Sequence, residues 1–390
     1  MIQNNFGQDV EFLKKYVETI VLTNGQGGQV AVVPDYQGRT MTCTANNDLG
    51  NSYGWINYDL IASGQRDPVV NLYGGEDRFW ISPEGGQFSL FFDPGDPMDL
   101  AHWRTPALID TEPFDVVAQD ESSVAFQKRG QMTNYSRFTF DMQFDRKVIV
   151  PDPASAAARF SINLDGLRAV AHESHNRLTN VGDQDWKPET GLIGIWVLCM
   201  NAPSPRATVV IPYQTGSDTE RGPIVNADYF GKLGADRLQV DDSRGLIYFL
   251  GDGLFRSKLG LQLGRVKSTM GSWDPVRQAL SIVDFNLPAE APTGYTNNLW
   301  EIQDNPFAGD VINSYNDGPN ETGGMLGPFF ELETISPALA LKPGEGYTHL
   351  HRTLRLEGDP DALNRAAETV FGVSLKEIET KFGESAGNHE

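Results

Sequence analysis

Two glutamates near the C-terminal end carry the clearest capacity for chemistry. Glu331 and Glu333 stand in Phe330-Glu331-Leu332-Glu333-Thr334, two residues apart among apolar neighbours. A strand through them projects both carboxylates from one face. A carboxylate held on a sheet among apolar residues is costly to bury unless paired, and its proton affinity can then be tuned for acid–base work. The same spacing also describes a surface strand with a polar face. Leu341-Lys342-Pro343-Gly344-Glu345-Gly346-Tyr347 reads as a turn, and Thr353-Leu354-Arg355-Leu356 as a strand expected to return beside the first.

A second group lies in Gly74-Gly75-Glu76-Asp77-Arg78-Phe79-Trp80-Ile81-Ser82-Pro83-Glu84. Arg78 and Trp80 share a strand face, and Glu84 follows the proline. An indole laid on the apolar C–H face of a sugar, with Arg, Asn and carboxylates on its hydroxyls, is a common recipe for carbohydrate recognition. Trp55 and Asn57 are candidates to add to that set. The alternative is a core tryptophan beside an arginine that bridges to a nearby carboxylate.

Histidines offer acids, bases and metal ligands. His172 and His175 are three apart, so a strand sends them to opposite faces and at most one enters a given pocket. His349 and His351 share a face; a hydrogen-bonded polar sheet face is the expected reading, and a metal site is not expected. His102 is expected in a loop and His389 in an exposed tail. Asp93, Asp96 and Asp99 in one loop, and Asn313, Asn316, Asp317 and Asn320 in another, have the hard oxygens calcium prefers. Neither set has EF-hand spacing, and the same residues are ordinary turn formers. The second stretch runs into the Glu331/Glu333 strand, so Asn316 is expected to overhang the same site.

The elements that must hold these residues are mostly strands. Forty glycines and 23 prolines punctuate 390 residues, and turn signals recur at the intervals of an all-β fold. Phe138-Thr139-Phe140-Asp141-Met142-Gln143-Phe144 alternates apolar and polar residues. Helices are expected at the ends, over about 9–18 and 359–383, the latter with a Ser374/Glu377 capping box. No linker or repeat divides the chain, so 1–390 is expected to form one domain.

A net charge of −21 repels phosphate backbones, and no basic stripe offsets it, which excludes nucleic acid as a partner. No apolar run is long enough to insert in a membrane. The N-terminus lacks the charged and apolar regions of a signal peptide. That suits either a cytoplasmic chain or a periplasmic or secreted one renumbered after cleavage. Cys43 and Cys199, far apart, are expected as buried thiols. No cofactor motif is present, and composition leaves the oligomeric state open.

Three segments in order carry a resemblance. Glu333-Thr334 with Leu341-Lys342-Pro343-Gly344-Glu345-Gly346-Tyr347 and Thr353-Leu354-Arg355-Leu356 resembles the closing hairpin of the aldose 1-epimerase (galactose mutarotase-like) superfamily. Val30-Ala31-Val32-Val33-Pro34-Asp35-Tyr36-Gln37-Gly38-Arg39 is similar to its opening hairpin, and Asn180-Val181-Gly182-Asp183 to its mid-chain turn. Gly74–Trp80 is similar to a motif shared by bacterial relatives of unassigned function. The resemblance implies an all-β supersandwich with a carbohydrate cleft on one sheet, Glu333 as catalytic base and Arg78 lining the sugar pocket. It also implies a histidine acid soon after the mid-chain turn. Here that stretch reads Leu192–Met200 without histidine, and Trp196 or a neighbour takes the place. His175 is then the candidate acid, and Trp80, Glu84, Trp55, Glu331 and Asn316 are candidate substrate contacts. The expected function is that of an epimerase-like, carbohydrate-active protein. A glycan-binding protein that has lost the acid, or a polysaccharide lyase or hydrolase relative, are the alternatives.

Overall fold

Alternating apolar residues build strands that pair antiparallel throughout the three sheets of the computed structural model, which describes residues 4–320 and 323–383. The largest sheet has ten strands. Its centre is formed by Thr139–Ile149, Leu167–Asn180, Gly346–Gly358 and Ala279–Phe285, neighbours in that order. A five-stranded sheet runs Ser257–Leu261, Ile312–Asn316, Phe330–Ile335, Gly194–Asn201, Arg78–Ser82. A three-stranded sheet, Ile20–Thr23, Gln29–Val33 and Arg39–Thr44, completes the set. The fold is the all-β, galactose mutarotase-like supersandwich that the sequence led us to expect.

The two larger sheets bury a common interior. Phe140, Met142 and Phe144 point into it from the large sheet, and Phe79, Val197 and Leu332 from the smaller one; the Phe79 and Phe144 rings lie 5.5 Å apart, edge to face. Each such side chain contributes about 1.5–3 kcal/mol on burial. The outer face of the large sheet is covered by the C-terminal helices, through Leu363, Ala366, Ala367 and Phe371 against Leu280, Leu354 and Leu356.

The helices fall near their expected places. The first, Phe6–Tyr16, starts three residues earlier than expected because Asn5 caps it, accepting from Gln8 N; Asp9 within it is buried and accepts from Tyr58 Oη at 2.6 Å. Pro360–Phe371 is capped by Asp359, and Leu375–Thr380 carries the Ser374/Glu377 capping box. Short helices at Tyr58–Ser63, Ala107–Asp110, Pro153–Ala158 and Asp218–Arg221 were not anticipated. All are six residues or fewer, too short for helical periodicity to register. The opening hairpin is present, Gln29–Val33 pairing with Arg39–Thr44 across a Pro34–Tyr36 turn.

The expected closing hairpin is not. Phe330–Ile335 pairs with Ile312–Asn316 and Gly194–Asn201 in the smaller sheet, whereas Gly346–Gly358 pairs with Leu167–Asn180 and Ala279–Phe285 in the larger. The Pro343-Gly344 turn therefore joins two sheets, and the two strands face each other across the interior. Each gains partners on both sides by separating, which a two-stranded hairpin would not provide. Asn313 and Asn316 likewise lie on a strand rather than in a loop. His389 lies outside the described residues.

Close backbone approach fixes one joint between sheets. Gly54 bridges to Asn201, and a Cβ there would lie 1.9 Å from the Met41 carbonyl oxygen. Gly54→Ala is expected to lower unfolding free energy by about 1–3 kcal/mol, as overpacking does. A urea midpoint equal to the parent's would show that the approach relaxes freely.

Candidate active site

Register in the five-stranded sheet assembles the site. One row across its outer face reads Gly260, Asn313, Glu333, Leu198, Arg78; the next reads Lys258, Tyr315, Glu331, Met200. Period two then puts Trp80 and Trp196 beside the first row and their neighbours Phe79 and Val197 in the core. Loops bring Glu84, Trp103, Tyr229, Arg256 and Trp300 over this face and close a cavity of about 430 Å³. Such a volume suits a small-molecule site.

The polar groups converge on Glu333. Its Oε2 accepts from Trp196 Nε1 at 2.9 Å and from Lys258 Nζ at 3.4 Å. Its Oε1 is buried with no protein hydrogen-bond partner. Lys258 also lies 5.1 Å from the Trp196 ring and 5.5 Å from that of Tyr229. Burial opposes the Lys258 charge, but the Glu333, Glu84 and Glu331 carboxylates more than offset that and push its proton affinity up. Arg78 stacks on Trp80 at 4.1 Å and reaches Glu331 at 3.5 Å, leaving Nε and Nη1 without partners.

Glu331 has the opposite character to a salt-bridged carboxylate. Burial first, and then the neighbouring Glu333 charge, push its pKa up to about 8, against the pull of Arg78 and Lys258. The site thus pairs a Glu331 carboxyl, which burial and the Glu333 charge push toward its protonated form, with a Glu333 carboxyl whose Oε1 has no hydrogen-bond partner. Because folded Glu331 keeps a proton that the unfolded chain loses above its ordinary value near 4.5, its contribution to stability declines as pH rises from about 4.5 to about 8. Thermal melts across that window should show this decline, and Glu331→Gln should flatten it; an unchanged slope in the variant would remove Glu331 as its source.

The structure brings together Arg78, Trp80, Glu84, Glu331 and Glu333. Trp55 sits one layer back, its ring 4.9 Å from the Phe329 ring that lines the cavity. Asn57 caps the Tyr58–Ser63 helix. Asn316 is one residue out of phase with Tyr315, so it faces away and bonds Asp252, Gly253 and Phe255. His175 is placed on the outer face of the ten-stranded sheet, partly exposed and 3.4 Å from Glu173. Both sheets separate it from Glu333, so it supplies no acid there. His349 and His351 share the expected polar face, but inside the molecule, both bonded to Thr334 Oγ1 at 2.8 and 3.0 Å. Burial holds both rings neutral, their pKa pushed down to about 3 and about 4. Asp93, Asp96 and Asp99 make turn contacts, Asp99 with His102 at 2.7 Å.

Sequence reasoning missed Lys258, Trp103, Tyr229, Arg256 and Trp300. Only Lys258 left a trace, as the single charge in the short strand Ser257–Leu261; the others lie on loops, where no periodicity marks the inward face.

Residues 4–382 match the model of a family of unknown function, DUF6786. The chain belongs to that family. No curated protein matches it. Two of the solved structures that share the fold of this DUF6786 chain illustrate the likeness. A protein described as a putative aldose 1-epimerase from Escherichia coli K12 is 12% identical, with 88% of this chain and 99% of that chain covered and a TM-score of 0.52. The Slr1438 protein from Synechocystis sp. PCC 6803 is also 12% identical, with 88% and 96% covered and a TM-score of 0.50. At such identity the likeness is one of fold, and among the described residues no helix is long and apolar enough to cross a membrane.

Proposed function

We propose that this protein binds a sugar over the outer face of the five-stranded sheet and interconverts its anomers. The observation that carries the reading is the Glu331/Glu333 pair, both lining the same cavity, with Glu333 Oε1 lacking a hydrogen-bond partner and the Glu331 proton affinity raised by burial and by the Glu333 charge. Glu333 takes the proton of the anomeric hydroxyl while Glu331 gives its proton to the ring oxygen. The bond from the anomeric carbon to the ring oxygen breaks, and an open-chain aldehyde forms. Rotation and reclosure with the two roles exchanged deliver the other anomer and restore both carboxyls. Lys258 and Trp196 hold the Glu333 carboxylate before it takes the proton, and Arg78, 3.5 Å from Glu331, steadies the charge that Glu331 carries in between.

The lining supports a sugar. Trp80, Trp103, Trp196 and Trp300, four of the seven tryptophans in the chain, offer rings to apolar C–H faces. The unpartnered donors of Arg78, Trp80, Trp103 and Arg256 suit hydroxyl oxygens. A non-catalytic glycan-binding protein is the second reading, favoured by the tryptophan that stands where the resemblance implies an acid. NMR exchange spectroscopy on a panel of free sugars separates the two. Faster anomer exchange for one sugar supports catalysis. Selective broadening without faster exchange supports binding alone, and neither effect for any sugar overturns both.

A further inference from the structure

The interior between the large sheets contains a polar cluster with no part in the chemistry above. Cys43 comes from the three-stranded sheet, His172 from the ten-stranded sheet, and Glu76 from the segment leading into the Arg78–Ser82 strand. All three are fully buried, and a thiol sulfur, a carboxylate oxygen and a ring nitrogen lie within 4.8 Å of one another.

A second observation points to a ligand. Neither ring nitrogen of His172 has a hydrogen-bond partner, and neither does Glu76 Oε1. Buried polar atoms are almost always paired, so a wholly buried imidazole with both nitrogens unpaired needs an account. Its Nε2 lies 3.8 Å from Glu76 and its Nδ1 4.0 Å from Asp77 Oδ2, which is itself unpartnered. Nδ1 thus faces Asp77 and Nε2 faces Glu76, both beyond hydrogen-bond reach in this structure. A small shift that closed the Nδ1–Asp77 gap would give the outer carboxylate the role of orienting a ligating ring. Arg355 holds Glu76 Oε2, the same oxygen that His172 Nε2 approaches, at 2.7 Å, which fixes that carboxylate and leaves Oε1 without a partner.

We propose that Cys43, Glu76 and His172 bind one zinc-class divalent cation that ties the three sheets together. One thiolate, one imidazole and one carboxylate make a mixed donor set that suits zinc better than calcium or magnesium. On binding, the Cys43 thiol gives its proton to solvent and the sulfur–metal bond forms, with no change of oxidation state. Full burial makes the site structural, filled as the chain folds.

The test uses the full chain, purified after growth with zinc and also refolded with and without zinc. Elemental analysis should find one zinc per chain. Zinc-edge X-ray absorption should show one sulfur at about 2.3 Å and one imidazole in the first shell. Cys43→Ser and His172→Gln should each lower retained zinc at least tenfold. Chains free of zinc after both preparations would overturn the site. So would a shell of nitrogen and oxygen alone, as adventitious surface zinc gives, or a sulfur signal that survives in Cys43→Ser. If the variants fail to fold, the spectrum of the parent protein decides by itself.

Discussion

Glu333→Gln is expected to slow anomer exchange by about 10²–10⁴-fold, the span that positioned acid–base groups supply, while leaving sugar binding within a few-fold. Glutamine keeps the shape and still accepts from Trp196 and Lys258, which reach Oε2 in the parent protein. What it loses is the proton-accepting capacity of the unpartnered Oε1 of a residue that lines the cavity. Glu331→Gln removes the proton donor instead and is expected to slow exchange over a similar range. The two variants differ in their pH response. With the Glu331 pKa pushed up to about 8, the acid is present below that value and lost above it, so the parent rate falls as pH rises past about 8. Glu331→Gln should lose that alkaline limb, and Glu333→Gln should keep it in its residual rate but moved to lower pH, because the Glu333 charge that helps raise Glu331 is gone. The exchange experiment measures all three proteins on the sugar that responds. Parent-like rates in Glu333→Gln would end the base assignment.

The second large effect is on stability. Arg146 is fully buried between the sheets, and its guanidinium donates to Gly38 O, Asn176 Oδ1 and both Asp77 O and Oδ1, the last at 2.8 Å. Arg146→Leu leaves the Asp77 carboxylate buried beside an apolar side chain. Removing one partner of a buried pair costs about 3–5 kcal/mol, because the remaining charge keeps its desolvation penalty without its counter-ion. The double variant Arg146→Leu, Asp77→Leu removes both charges and is expected to lose less than the sum of the single changes. Urea unfolding of the four proteins gives the coupling; strict additivity would mean the pair is not the source.

Period two was legible without the structure. It placed Glu331 with Glu333, Arg78 with Trp80, and His349 with His351 on common faces, and each pair keeps that relation in the fold. The same rule shows why Asn316 could not serve: Tyr315 faces the cavity, so its neighbour does not. The resemblance of Val30–Arg39 marked the opening hairpin, and Ser374 with Glu377 marked the last helix, because a capping box is local and complete within a few residues.

Which sheet a strand joins is not local. Phe330–Ile335 finds its partners at Ile312–Asn316 and Gly194–Asn201, and Gly346–Gly358 finds its own at Leu167–Asn180 and Ala279–Phe285. Nothing within the hairpin-like segment distinguishes that outcome from direct pairing. The same long-range choice sent His175 to the far side of the large sheet and brought Lys258, from a strand 75 residues away, to Glu333. The sequence by itself determined an all-β chain and which side chains share a face, because both follow from backbone geometry repeating every second residue. Only the tertiary structure decided which faces meet, since pairing between distant strands is settled by packing a common core and satisfying buried polar groups together.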